Sequence, residues 1–141
     1  MHIHTVRRIG LGAIGLSVAV ILFRWAYAPA PQDIEVAPVV GQVTCANHPA
    51  GGGMLVFFEP LERGHLFASG RVLPDGSFRH VYTNGCLDYE GVMPGKYRVF
   101  LHPSSLAQPG PAIDPKYLGP GTSDLVVDVE RDWNYVTLAL H

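Results

Sequence analysis

The residue types able to do chemistry in this chain are few and scattered. Cys45 and Cys86 are its two cysteines. An even pair in an exported domain points to a disulfide, and two buried free thiols are the alternative. A bridge would close a loop of about 40 residues and contribute roughly 3–4 kcal/mol. His80 and His102 fall on strand-like runs, where an exposed or satisfied imidazole is the usual state and a two-histidine metal site the sharper alternative. His102-Pro103-Ser104-Ser105 invites a hydrolase reading, but no strained nucleophile turn or oxyanion motif accompanies it. Asp88-Tyr89-Glu90 is too short for a calcium loop.

The segment Cys45-Ala-Asn-His48-Pro-Ala-Gly-Gly-Gly-Met54 is C-x2-H-x5-M, close to the ligand loop of blue-copper proteins. In such a site Cys, His and a weak axial Met hold copper with a second His. The order of elements argues against it. That loop joins the last two strands of a cupredoxin, whereas here it joins the first two. The second His should lie upstream, where the chain offers His2 and His4. A copper-binding electron-transfer domain is therefore the runner-up. The favoured reading assigns no catalytic residue, cofactor or metal.

The elements that must position these residues follow from composition. The 141 residues include 12 prolines and 16 glycines, with 48% apolar and 16% charged. So much apolar residue excludes a disordered chain, and so much proline and glycine disfavours a helical bundle. Short strands joined by turns fit better. The net charge of −2 is unevenly spread. Arg7, Arg8 and Arg24 precede every acid, whereas all 12 acidic residues lie from Asp33 onward. An acidic domain with only two lysines does not read as a nucleic-acid binder.

Residues 1–28 read as an address. Ile9–Phe23 is an uncharged run between Arg8 and Arg24, followed by Trp25 and Tyr27. A basic start, an apolar run and then small residues make an export signal. Snorkelling arginines and interfacial aromatics would let this short run serve as an uncleaved transmembrane anchor. Cleavage after Ala28 is the alternative, disfavoured by Pro29. Either way the rest of the chain is expected to be extracytoplasmic, in the periplasm or at the cell surface. Gly10-Leu-Gly-Ala-Ile-Gly15 matches G-x-G-x-x-G with Glu35 downstream. No strand precedes it and no βαβ pattern follows, so small residues in a membrane segment explain it better.

Residues 29–38 read as a proline-rich linker and residues 39–141 as one domain of seven strands. These are Val39–Thr44, Met54–Glu59, Leu66–Val72, Ser77–Thr83, Lys96–His102, Asp124–Glu130 and Asn134–Leu140. Tyr97, Val99 and Leu101 alternate with Lys96, Arg98 and His102, the pattern of a half-buried strand. Val136, Leu138 and Leu140 share one face in the last run. Pro103–Gly121 is long for a loop and is expected to pack along a sheet.

Several of these segments resemble one family. Gly41-Gln-Val-Thr44, Pro49 and Phe57-Phe-Glu-Pro60 look like the opening hairpin of transthyretin-like, carboxypeptidase-regulatory-like domains of small exported bacterial proteins. Asp75-Gly76-Ser77-Phe78 resembles the family's D-G-x-F turn, and Pro94-Gly95-Lys96-Tyr97-Arg98-Val99 its P-G-x-Y-x-V element. Pro115-Lys116-Tyr117 and Thr122-Ser123-Asp124-Leu125-Val126-Val127 resemble its late loop and strand. The resemblance covers roughly residues 39–140. It implies an all-β, seven-stranded prealbumin-like β-sandwich without enzymatic activity. Cys45, Cys86 and Gly51–Gly53 depart from the pattern, as does the missing lipid-attachment cysteine. The expectation is a non-catalytic binding or structural module of the cell envelope. The N-terminal helix would hold it to the membrane, and its partner would be an envelope protein or a glycan.

Overall fold

The computed structural model describes residues 33–141, in which nine strands form two sheets. The address segment and its G-x-G-x-x-G match lie outside the described residues. Among the described residues no helix is long and apolar enough to cross a membrane. The strands are β1 (Val39–Cys45), β2 (His48–Pro49), β3 (Leu55–Pro60), β4 (Ala68–Arg71), β5 (Ser77–Phe78), β6 (Val81–Thr83), β7 (Gly95–His102), β8 (Leu125–Val129) and β9 (Asn134–Leu140). In the first sheet β1 pairs antiparallel with β2 and β5 along one edge, and parallel with β9 along the other. The second sheet has the order β6-β4-β3-β7-β8, antiparallel throughout.

Period-2 alternation turns one face of each sheet inward. Tyr97, Val99 and Leu101 of β7 meet Val136, Leu138 and Leu140 of β9 in one core with Val39, Val43, Val56, Phe58 and Phe78. Phe58 packs edge-on against Phe78 and Tyr97, with ring centroids 6.2 and 6.3 Å away. Burying a side chain of this size contributes about 1.5–3 kcal/mol. The apolar run of β3 sits between β4 and β7 in the second sheet, as its continuity predicts. Phe57 faces the other way and stacks on Phe100 at 5.3 Å on the outer surface.

Turn chemistry fixes the connections. Cys45 and His48 pair across the two-residue turn Ala46-Asn47, whose φ values of 50° and 66° are those of a tight hairpin turn. The hairpin thus closes before the glycine run. At Pro74-Asp75-Gly76, Gly76 N–H donates to Leu73 O at 2.8 Å. Asp75 Oδ1 accepts from the Ser77 amide at 3.0 Å and the Ser77 hydroxyl at 2.6 Å. The long loop after β7 contains a 3-10 turn, Pro115–Leu118, that buries Tyr117. The Tyr117 hydroxyl accepts from the His141 amide at 3.3 Å, tying the loop to the chain end.

Two expectations change. The predicted strand Ser77–Thr83 is two strands in different sheets: β5 pairs with β1 and β6 with β4, and Arg79-His80 crosses between them. With β2 as a separate short strand, this raises the number from seven to nine. The predicted linker also ends earlier than expected. Ala37 is fully buried and exchanges two backbone hydrogen bonds with Val92, at 2.8 and 2.9 Å. The compact unit runs from Ile34 to His141.

Candidate functional site

The start of β1, the Arg79-His80 crossing and the β8–β9 turn converge on one cleft. Half-buried Pro38 and Val40 provide apolar walls over the buried Val39 and Val81, and Arg79, Glu90, Gly91 and Trp133 complete the lining around about 320 Å³. Trp133 leaves 70% of its surface exposed, an unusual position for the largest apolar side chain.

The turn carrying Trp133 is fixed by its neighbour. Asn134 is buried, and its Nδ2 donates to Glu130 O at 2.9 Å, Asp132 O at 2.7 Å and, more weakly, Pro38 O at 3.4 Å. Its Oδ1 accepts from Glu130 N at 2.9 Å, while the Trp133 amide donates to Asp132 Oδ1 at 2.9 Å. The indole is therefore displayed on a braced turn that is also tied to the first strand. The exposed Arg131–Glu35 pair, 3.7 Å apart, adds little.

The opposite wall is equally constrained. Gly91 has φ 131° and would place a Cβ 2.6 Å from Ala37 O, so only glycine lets the two segments meet. Beside it, the exposed His80 Nδ1 and Glu90 Oε1 lie 2.7 Å apart, within hydrogen-bond distance. Arg79 is exposed on the same crossing. The cleft thus offers an aromatic plate, apolar walls, one guanidinium and one carboxylate, with the His80 imidazole against that carboxylate.

The sequence-predicted site residues do not come together. The expected Cys45–Cys86 bridge is absent: both thiols are free. Cys45 Sγ faces Ala112 O at 3.7 Å, and Cys86 Sγ lies 4.0 Å from Asp88 Oδ2. Register explains the separation. Cys45 pairs with Leu140 at the far end of the parallel β1–β9 ladder, which starts at Val39 and Asn134. Cys86 follows Thr83, whose neighbours return through Gly91 to the Ala37–Val92 contact at the near end. Six strand steps of about 3.3 Å separate the two ends, far beyond the Cα spacing of a disulfide.

The residues of the copper-type loop fall on the first hairpin and the approach to β3. Cys45 and His48 are cross-strand neighbours, but Met54 is buried in the core. Among the described residues no group of three or more His, Cys, Asp and Glu side chains is arranged to hold a metal ion. His80 is paired with Glu90, whereas His102 stands edge-on to Phe57 on the outer face of the other sheet. Ser104 Oγ donates to Gly53 O and accepts from Leu106 N, stapling a loop.

Trp133, Arg79 and Glu90 were not legible as a site, because they lie on three separate segments. The usable signal was a tryptophan placed in a turn among Arg131, Asp132 and Asn134, where burial cannot account for it. Compared with protein-family models, curated proteins and solved structures, the chain matches none of them.

Proposed function

We propose that this chain is a non-catalytic binding module of the cell envelope, held at the membrane by residues 1–28. Cleavage after Ala28, giving an exported form, is the variant of this reading. Residues 34–141 would work outside the cytoplasm by surface recognition. The observation that carries the reading is the braced, exposed Trp133 beside the cleft. A turn fixed in this way loses little backbone entropy when a ligand docks on the residue it displays, which favours recognition.

The transthyretin-like assignment belongs to the same proposal. Two features support it. Asp75-Gly76-Ser77-Phe78 forms the tight turn that delivers the buried Phe78, and Pro94-Gly95-Lys96-Tyr97 launches β7 with Tyr97 in the core. Such sandwiches serve many roles, so the role is argued from the cleft and not from the fold.

The test places a photo-crosslinking amino acid at exposed position 131, on the turn that carries Trp133, in the full chain in cells, with a second probe at exposed Gly64 on the β3–β4 connection as control. Capture of a defined envelope component from 131 and not from 64 is expected. Equal capture from both positions, or none from 131, overturns the reading. Membrane fractionation with N-terminal sequencing decides between anchor and cleaved signal.

A further inference from the structure

We propose that the Trp133 cleft binds one neutral pyranose ring of a glycan, with the ring's C–H face on the indole and its hydroxyls on Arg79 and Glu90. This inference rests on the binding-module reading and names the ligand class of the same site.

Three properties of the cleft lead to a sugar. The first is the plate. An indole 70% exposed beside apolar walls gains from being covered, and a pyranose presents a flat C–H face while keeping its rim polar. The second is the charge balance. Arg79 and Glu90 line the same cleft, and His80 is already paired with Glu90 Oε1. With one cation set against one anion, the site does not concentrate phosphates, carboxylates or ammonium groups. It offers instead two planar groups, a fork of donors and a carboxylate with Oε2 left for a ligand. Each can bridge two adjacent hydroxyls. The third is size. At about 320 Å³ the cleft is at the small end of ligand sites, matched to one ring with its chain leaving into solvent.

A neutral pyranose can come from an N-acetylated amino-sugar polymer or from a plain glucan, and the experiment separates the two. Full-length chain, labelled with 15N and kept in a detergent without sugar headgroups, is titrated with chitotetraose and, separately, maltotetraose. The readout is the indole N–H resonance of Trp133, assigned by its loss in Trp133→Phe. At least one sugar is expected to shift it saturably, with a dissociation constant of about 1 mM or tighter. Trp133→Ala, followed by the amide resonance of Gly91 in the cleft lining, should weaken binding at least tenfold and Arg79→Ala severalfold. Unchanged Val99 and Leu101 amide signals will show that each variant is folded.

If neither sugar moves the indole resonance, or if binding persists in Trp133→Ala, the proposal is overturned. Should position 131 nevertheless capture a protein in cells, the sugar assignment fails alone and the binding-module reading stands. No capture and no sugar response removes both.

Discussion

Asn134 and Glu130 exchange two hydrogen bonds, each 2.9 Å long, across the turn that displays Trp133. The amide of Asn134 satisfies a backbone donor with its oxygen and a backbone acceptor with its nitrogen. No other uncharged side chain of that length does both. Asn134→Ala should therefore leave part-buried backbone groups without their partner and destabilise the domain by about 1–2 kcal/mol. Asn134→Asp keeps the acceptor but loses the donor, and should be intermediate. Urea unfolding of the two variants checks the order. A loss below about 0.5 kcal/mol for Asn134→Ala would show that the turn holds without it.

Gly91 and Gly41 allow two close approaches for different reasons. Gly91 has φ 131° and its missing side chain makes room for Ala37 O, so Gly91→Ala carries both backbone strain and a clash. At Gly41, with no unusual φ, a Cβ would meet Val136 O and the Phe78 ring. Both alanine variants should lose at least about 2 kcal/mol. Gly64 also has positive φ, at 82°, but has nothing within 4 Å of its Cβ position. Gly64→Ala should cost only about 1 kcal/mol. Parallel thermal melts of the three variants provide the comparison.

Cys45 and Cys86 point to different partners at opposite ends of the sandwich, so reduction should leave stability unchanged. Thiol titration of the freshly purified chain under denaturing, non-reducing conditions should find both sulfurs free. Loss of both thiols in a chain that stays monomeric without reductant would contradict the register of β1.

The strands that could be read from the sequence are those whose burial alternates without interruption. In β7 and β9 every second residue is apolar because a single face is buried, and the structure keeps that pattern. The run Ser77–Thr83 hid a break. Its buried residues Phe78 and Val81 stand three apart, which one continuous strand cannot place on one face. That change of phase marks the sheet crossing at Arg79-His80, although no glycine or proline signals it. The aromatics of β3 were illegible for a related reason. Phe57 and Phe58 are adjacent, and the core receives only Phe58 because pairing with β4 and β7 sets the face.

The site itself was less legible, because each contributor lies on a different segment and sequence distance says little about which strand ends meet. Cys45 and Cys86 illustrate this in one direction, since both border turns yet lie far apart. Arg79, Glu90 and Trp133 illustrate it in the other. They span more than a third of the chain and line one cleft because Ala37 docks on Val92 and Asn134 ties its turn to Pro38.

Tyr97 provides the pH test of the core. Its hydroxyl donates to Met93 O at 2.7 Å, and the ring is fully buried. Burial, helped by the negative charge of Glu62, pushes its phenol up to about 12 from the ordinary 10.0. The unfolded chain therefore releases this proton near pH 10, while the folded chain keeps it until about 12. Between those values the native state binds more protons than the unfolded one, so stability falls as pH rises. Below pH 10 both states are protonated and Tyr97 adds no slope. Phenolate absorbance should show one tyrosine titrating near pH 12 in the folded chain, and Tyr97→Phe should remove it. The variant loses the bond to Met93 O and about 1 kcal/mol at neutral pH, but its stability should fall less steeply from pH 10 upward. An identical alkaline slope in both proteins would show that Tyr97 ionises without restraint from the core.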